Sequence, residues 1–308
     1  MNGGGELSFS SLSSLCFYLP VVISGCWNQS TYRCNRSRMM AVHSIGAAVA
    51  AAGTTEAAMS SENDADYATM LCCASCGKAE VDDVKLKKCA CGLVKYCSIA
   101  CQKDHRSKHK RPCKKKLAEL RDEILFTQPD ESHLGECPLC CLPLPLDPTK
   151  SGFMACCSKY ICKGCNYANQ KREIEAGLEQ RCAFCREPLV KSDKEEHKML
   201  MKRVKKNDPV AMWKLGNKHC LEEDDDGAFE YWTKAADLGD ADAHFNLSCS
   251  YYKGDGVEKD MNKYIYHSEQ AAIAGHVMAR HNLGIDELNN GRFERARKHF
   301  IIAANLWI

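Results

Sequence analysis

From Asp208 onward, apolar positions recur with a helical period, and the recurrence itself repeats. Ala211, Ala243 and Ala279 fall into line, as do Leu215, Leu247 and Leu283, at offsets of 32 and 36 residues. The pairs Ala235-Ala236, Ala271-Ala272 and Ala303-Ala304 repeat at 36 and 32. Two helices per unit follow, in about three units, since one such helix pair buries its apolar stripe only against a neighbour. Asp208-Pro209 supplies an N-cap and an N1 proline, Asp240 and Asp260 are further caps, and Gly239 and Gly275 stand where C′ glycines end helices. Small alanines permit close helix approach while Trp213, Trp232 and Phe245 fill the spaces between. Upstream, Leu117, Leu120, Ile124 and Leu125 recur at helical spacing and predict a connecting helix, with Pro129 marking its end. Residues 1–70 sustain a period of neither roughly 3.6 nor 2. They read as a disordered tail or a weak targeting segment, its apolar stretch Leu15–Ile23 interrupted by Pro20.

Composition changes this picture in one respect. Of 308 residues 22 are cysteine, and 17 of these fall between Cys72 and Cys185. Lys and Arg number 42 against 40 Asp and Glu, a net charge of +2, so a strongly basic nucleic-acid coat is excluded and no specific nucleic-acid partner is expected. The local run Lys103–Lys116 carries eight basic residues and one acid, but no interleaved aromatics to stack on bases, so it reads as a solvated helix face. No apolar run approaches the roughly 20 residues of a membrane helix, and no membrane partner is expected. Phosphate-binding glycine loops, the Gly-x-Ser-x-Gly elbow and His-Glu-x2-His are absent from the sequence.

The first cysteines run Cys73-x2-Cys76, Cys89-x-Cys91, Cys97-x3-Cys101 and His109-x3-Cys113. Short turns of this kind aim two thiolates at one point about 2.3 Å away, as tetrahedral zinc requires. Clustered intracellular cysteines are metal sites more often than disulfides. Cys73-Ala-Ser-Cys76, Tyr96-Cys97-Ser98, Cys101-Gln102 and His109-Lys110-x2-Cys113 together resemble the MYND-type zinc finger. The resemblance implies interleaved ligand sets, Cys73, Cys76, Cys97 and Cys101 on one ion and Cys89, Cys91, His109 and Cys113 on the other. Two features depart from that family: the second pair is usually spaced by two residues, and Arg106 replaces a tryptophan. Cys72 and His105 are near-neighbour substitutes as ligands.

A second group comprises Cys137-Pro-Leu-Cys140, Cys156-Cys157, Cys162-x2-Cys165 and Cys182-x2-Cys185, with Cys141 outside the pattern. It resembles a RING-type finger, whose cross-brace implies Cys137, Cys140, Cys162 and Cys165 on one ion and Cys157, Cys182 and Cys185 on the next. The histidine usual in that family is here Lys159, which as a protonated amine has no lone pair to give. Cys156 is the candidate fourth ligand, the alternative being a three-ligand or lost site. RING-type ligases dock a ubiquitin-conjugating enzyme through an apolar residue in the first knuckle and clamp ubiquitin with a basic residue after the last cysteine. Leu139 and Arg186 hold those partner-binding positions.

Ala243-x3-Leu247, Tyr251-Tyr252-x-Gly254-Asp-Gly256-Val257 and Ala271-Ala272-x2-Gly275-His276 resemble Sel1-like repeats of the tetratricopeptide type, which implies a non-catalytic protein-binding scaffold. The first repeat has the acidic run Glu222–Asp226 in place of the glycine loop, and Ile308 follows without a polar capping helix, as expected of a truncated or oligomeric solenoid.

The expected fold is therefore mainly α. A tail (1–70) precedes a MYND-type finger (71–113), a connecting helix and linker (114–134), a RING-like cross-brace (135–190), a charged linker (191–207) and an α-solenoid of helix-turn-helix repeats (208–308). About four zinc ions are expected, with other proteins as partners. The expected function is that of an interaction adaptor in the cytoplasm or nucleus. The alternative is a RING-type ubiquitin ligase working with a ubiquitin-conjugating enzyme, the repeats serving as substrate receptor. With its own core, the repeat region is expected to keep its helices when metal is withdrawn.

Overall fold

The computed structural model describes residues 72–80 and 85–307, so the tail expected over 1–70 lies outside them. Among the described residues the chain is mainly helical, with nine α-helices and two short antiparallel pairs. Strands β1 (Lys87–Lys88) and β2 (Lys95–Tyr96) pair with Lys87 opposite Tyr96. Helix α1 follows over Ile99–Leu125. Strands β3 (Ser151–Met154) and β4 (Lys159–Cys162) form the second hairpin and lead into α2 (Lys163–Glu175). Seven helices complete the chain: α3 (Asp193–Val204), α4 (Pro209–Leu221), α5 (Asp225–Asp237), α6 (Ala241–Lys253), α7 (Met261–Ile273), α8 (Val277–Asn289) and α9 (Phe293–Asn305).

Two boundaries differ from the sequence expectation. The last helix of the first finger and the connecting helix are one 27-residue element, α1, which carries Pro112 in its interior. Proline there removes one backbone bond, but both sides of the break are held by tertiary contacts. His109 is buried within the first cysteine-rich module and Leu125 is buried against the repeats. The second difference lies in 191–207, expected as a charged linker. Ser192 caps α3 there, accepting from Glu195 N, with three acids in the first turn and Lys202 and Arg203 in the last. Leu200 of α3 packs on Ala211 and Leu215 of α4, so the charge run is the solvated face of a helix that begins the solenoid.

The predicted caps are in place. Asp208, Asp240 and Asp260 accept from backbone amides at the starts of α4, α6 and α7. Gly216 on α4 lets α5 close in, since a Cβ there would lie 2.5 Å from a Trp232 ring carbon. Ala228, Trp232, Ala235, Ala236, Ala243 and Leu247 form the core of the first two repeats.

The cysteine-rich modules have small cores of their own and lean on the repeats. Leu125 at the end of α1 packs among Ala271, Ala272, Ala279 and Leu283. Phe126 and Leu146 cover Val277, Ile302, Ala303 and Leu306. Ala155 after β3, with Phe153, joins Leu200, Ala211 and Leu215. The chain between α1 and the second hairpin thus lies across the repeats. Gly275 shows how closely: at φ +83 it donates space to Glu131, whose carbonyl oxygen would lie 2.6 Å from a Cβ, and its own carbonyl accepts from His133 N at 3.1 Å.

His299 lies fully buried in this seam, against the Phe126 ring, and neither ring nitrogen has a hydrogen-bond partner. Burial, and next the Arg280 guanidinium, pull its pKa from 6.5 to about 4. As pH falls from about 6.5 to about 4 the unfolded chain takes up a proton that the folded chain refuses. Stability is therefore lost over that window, by about 3 kcal/mol from this residue. His276 adds to the loss in the same sense. Melting curves against pH should show His299→Leu retaining about 3 kcal/mol more than the wild type at pH 4, relative to each protein at pH 7.

Candidate metal centres

In the first module, the buried Cys73 and the exposed Cys76 sit on a tight turn. Cys73 N donates to Lys78 O and Gly77 N donates back to Cys73 O, both at 2.8 Å, and Gly77 takes φ +72. Cys97 follows β2 and Cys101 opens α1, where Ser98 accepts from Cys101 N as N-cap. The four sulfurs converge, with Cys76–Cys97 and Cys97–Cys101 separations of 3.6 Å. His109 and Cys113 are four residues apart on one face of α1 and meet Cys89 and Cys91. Cys89 and Cys113 sulfurs are 3.7 Å apart, and Cys91 Sγ is 3.2 Å from His109 Nε2. The one-residue spacing of Cys89 and Cys91 closes because Gly92, at φ +77, turns the chain and donates to Cys89 O at 2.9 Å. Cys72 and His105 stand outside both groups among the described residues; the Tyr96 hydroxyl lies 3.0 Å from His105 Nδ1.

The second module repeats the plan. Cys137 and Cys140 lie on a knuckle in which Cys137 N donates to Leu142 O and Cys141, at φ 54, donates to Cys137 O. Cys162 caps α2 and Cys165 sits in its first turn; Cys140 and Cys162 sulfurs are 3.8 Å apart. The adjacent Cys156 and Cys157 both reach the knuckle of Cys182 and Cys185, at 3.3 Å from Cys156 to Cys185 and 3.9 Å from Cys157 to Cys182. A turn after the dipeptide, with Ser158 at φ 54 donating to Met154 O, bends the backbone so that both thiols point one way. Lys159 is exposed at the start of β4 and is no member of the group.

These donor sets suit zinc. Donors on a tetrahedral ion with zinc–sulfur bonds of about 2.3 Å lie about 3.8 Å apart, and most of the sulfur separations here are close to that. Burial alone would raise the Cys73 and Cys137 thiols, but surrounding backbone amides outweigh it and bring each down to about 6. Their crowded neighbours move the opposite way, Cys165 beside Cys137 to about 12 by its contact with Cys162 and Cys97 beside Cys73 to about 12 by its contact with Cys76. A shared dication relieves that opposition by favouring thiolate at every position.

The two expected docking residues fare differently. Leu139 is 41% exposed on the first knuckle. Arg186 is tied down: its guanidinium donates to Asn169 Oδ1 at 2.7 Å and pairs with Glu173 at 3.0 Å. Glu173 is 1% exposed and also accepts from Arg181 N and Asn169 Nδ2, bracing α2 against the last knuckle. Neither Glu173 nor Asn169 is marked by any sequence motif, because both lie in an ordinary polar stretch of helix.

A module built on interleaved cysteine groups joined by a long helix to helical repeats defines a zinc-finger and repeat-scaffold protein. The chain carries a MYND finger at residues 73–113 and Sel1 repeats at 209–240 and 241–276, matched to those families. A curated relative, cytochrome c oxidase assembly factor 7A of Xenopus laevis, is 47% identical over 51 residues, 16% of this chain. This chain covers 22% of that relative's length. A solved Sel1 repeat protein from Oxalobacter formigenes aligns with 46% of this chain and 57% of its own, at 25% identity and a TM-score of 0.35. Among the described residues no helix is long and apolar enough to cross a membrane.

Proposed function

We propose that this protein is a zinc-dependent interaction adaptor: two metal-stabilised modules anchored on a repeat scaffold that selects a protein partner. The observation that carries this is the convergence of sixteen donors into four groups on modules whose cores are too small to stand without metal. Cys73, Cys76, Cys97 and Cys101 would hold one ion, and Cys89, Cys91, His109 and Cys113 the next. Cys137, Cys140, Cys162 and Cys165 would hold the third, and Cys156, Cys157, Cys182 and Cys185 the fourth. Zinc supplies a fixed tetrahedral node, and with four protein donors in each group no position is left for activating water. Reduced thiols in such numbers suit the cytoplasm or nucleus. Native mass spectrometry of the full chain should find these four groups filled, and alanine at a cysteine of one group should empty that group alone.

The exposure of Leu139 favours a second reading, a RING-type ubiquitin ligase. Arg186 weighs against it, since its guanidinium already braces Glu173. Full chain mixed with a panel of ubiquitin-charged conjugating enzymes is expected to leave their discharge unchanged. Faster discharge that Leu139→Ala abolishes, at unchanged zinc content, would establish the ligase.

A further inference from the structure

A fifth group of metal-ligating side chains lies away from the cysteines, where the connecting segment crosses the repeats. His133 comes from that segment, Asp242 from the first turn of α6, and His276 from the N-cap of α8. Asp242 Oδ1 lies 3.5 Å from Nε2 of each imidazole. A charge-assisted hydrogen bond would close to about 2.7–2.9 Å. Nitrogen and oxygen donors about 2.0–2.1 Å from one tetrahedral ion lie about 3.3–3.4 Å apart, which is the spacing found here within a tenth or two. The three donors lie within 4.8 Å of one another, and the ring centroids of His133 and His276 are 4.4 Å apart.

The surroundings aim these groups at one point. His133 is anchored through its backbone to Gly275 O, and its Nδ1 is buried without a partner, so its polar contact runs through Nε2 alone. Asp242 occupies a repeat position held by Val210 and Met278 in the flanking units, so the helix scaffold does not call for a carboxylate there. Its ion-pair partners among the described residues are the two imidazoles. Two features oppose a metal: ligation through Nε2 puts the His133 proton on its partnerless Nδ1, and His276 Nδ1 accepts from Ala279 N at 3.1 Å, a cap that the same protonation would disturb. A helix cap is a small contribution beside that of a protein-held zinc ion.

We infer that His133, Asp242 and His276 form a divalent transition-metal site, zinc being the ion tested, that clamps the connecting segment to two successive repeats. Two imidazoles and a carboxylate suit zinc and leave one coordination position for water. The clamp would make the seating of the second cysteine-rich module on the repeats depend on metal through a site chemically distinct from its own.

The test is zinc counting by native mass spectrometry on the reconstituted full chain. Wild type is expected to hold one ion more than Asp242→Asn and one more than His133→Gln, whatever number the cysteine groups hold. Equal counts in all three would overturn the inference and leave a hydrogen-bonded His–Asp–His contact. X-ray absorption of the zinc-loaded wild type decides without any variant. The site requires a nitrogen and oxygen share well above the single histidine of the cysteine groups, and a share equal to that histidine alone would also overturn it.

Discussion

Chelating zinc from the full chain should unfold both cysteine-rich modules and lower the melting temperature of the repeats by about 10 °C or more. The first effect follows from the sparse cores: Cys73, Leu86 and Tyr96 are the buried cluster of the first module, and half of the second module's buried cluster is cysteine. The second follows from the seam. Leu125, Phe126 and Phe153 all pack on repeat residues, and each such side chain is worth about 1.5–3 kcal/mol when buried. For a domain of this size each kcal/mol shifts the melting temperature by about 4–8 °C. The helices of the repeats should persist at room temperature, as the sequence leads one to expect, but in a weakened form. Circular dichroism melts with and without chelator check this, and an unchanged upper transition would show that the seam carries no energy.

Replacing Arg280 should loosen the end of α1 from the repeats. Its side chain is fully buried on α8, and its guanidinium donates to Leu125 O, at the end of α1, and to Ala272 O at 2.7 Å. It thereby caps α1 and α7 together, and no carboxylate accompanies it in those bonds. Arg280→Leu leaves the buried Leu125 carbonyl without its donor and takes a charged donor from Ala272 O, which keeps its bond from Gly275 N, a loss of about 2–3 kcal/mol. Arg297→Ala on α9, which removes an exposed pair with Glu294, should cost under about 0.5 kcal/mol. Chemical denaturation measures both. Limited proteolysis should also find the stretch between α1 and Cys137 newly accessible in Arg280→Leu.

The repeats were legible because helix pairing leaves a period in sequence, and the cysteine groups because zinc geometry limits ligand spacing. The convergence of Cys156 with Cys182 and Cys185 was a matter of elimination in the sequence, and the bend at Ser158 supplies the physical reason. What sequence did not convey was the docking of modules on one another. Arg280 aligns with Met212 and His244 in the other repeats, and that departure from an apolar or neutral position is the trace it leaves. The run 191–207 misled because high charge marks an exposed helix face as readily as a linker, and Ser192 with Glu195 was the deciding signature. Arg186 stands where the RING-type resemblance expects a ubiquitin clamp, yet its guanidinium is paired with Glu173, which lies 13 positions away in sequence.

Helix α1 imposes a rule of phase. It is held near its middle by His109 and Cys113 and at its end by Leu125, while an α-helix advances about 1.5 Å and turns about 100° per residue. Removing one residue between Cys113 and Leu125 would therefore swing the first finger by about a quarter of a revolution around the helix axis, presenting a different side of it to any partner shared with the repeats. Seven added residues would restore the heading to within about 20° while moving the finger outward by about 10 Å. The distance between the two modules is thus adjustable only in steps close to whole turns, and chains of this design that differ in spacing should differ by about 7 or 11 residues.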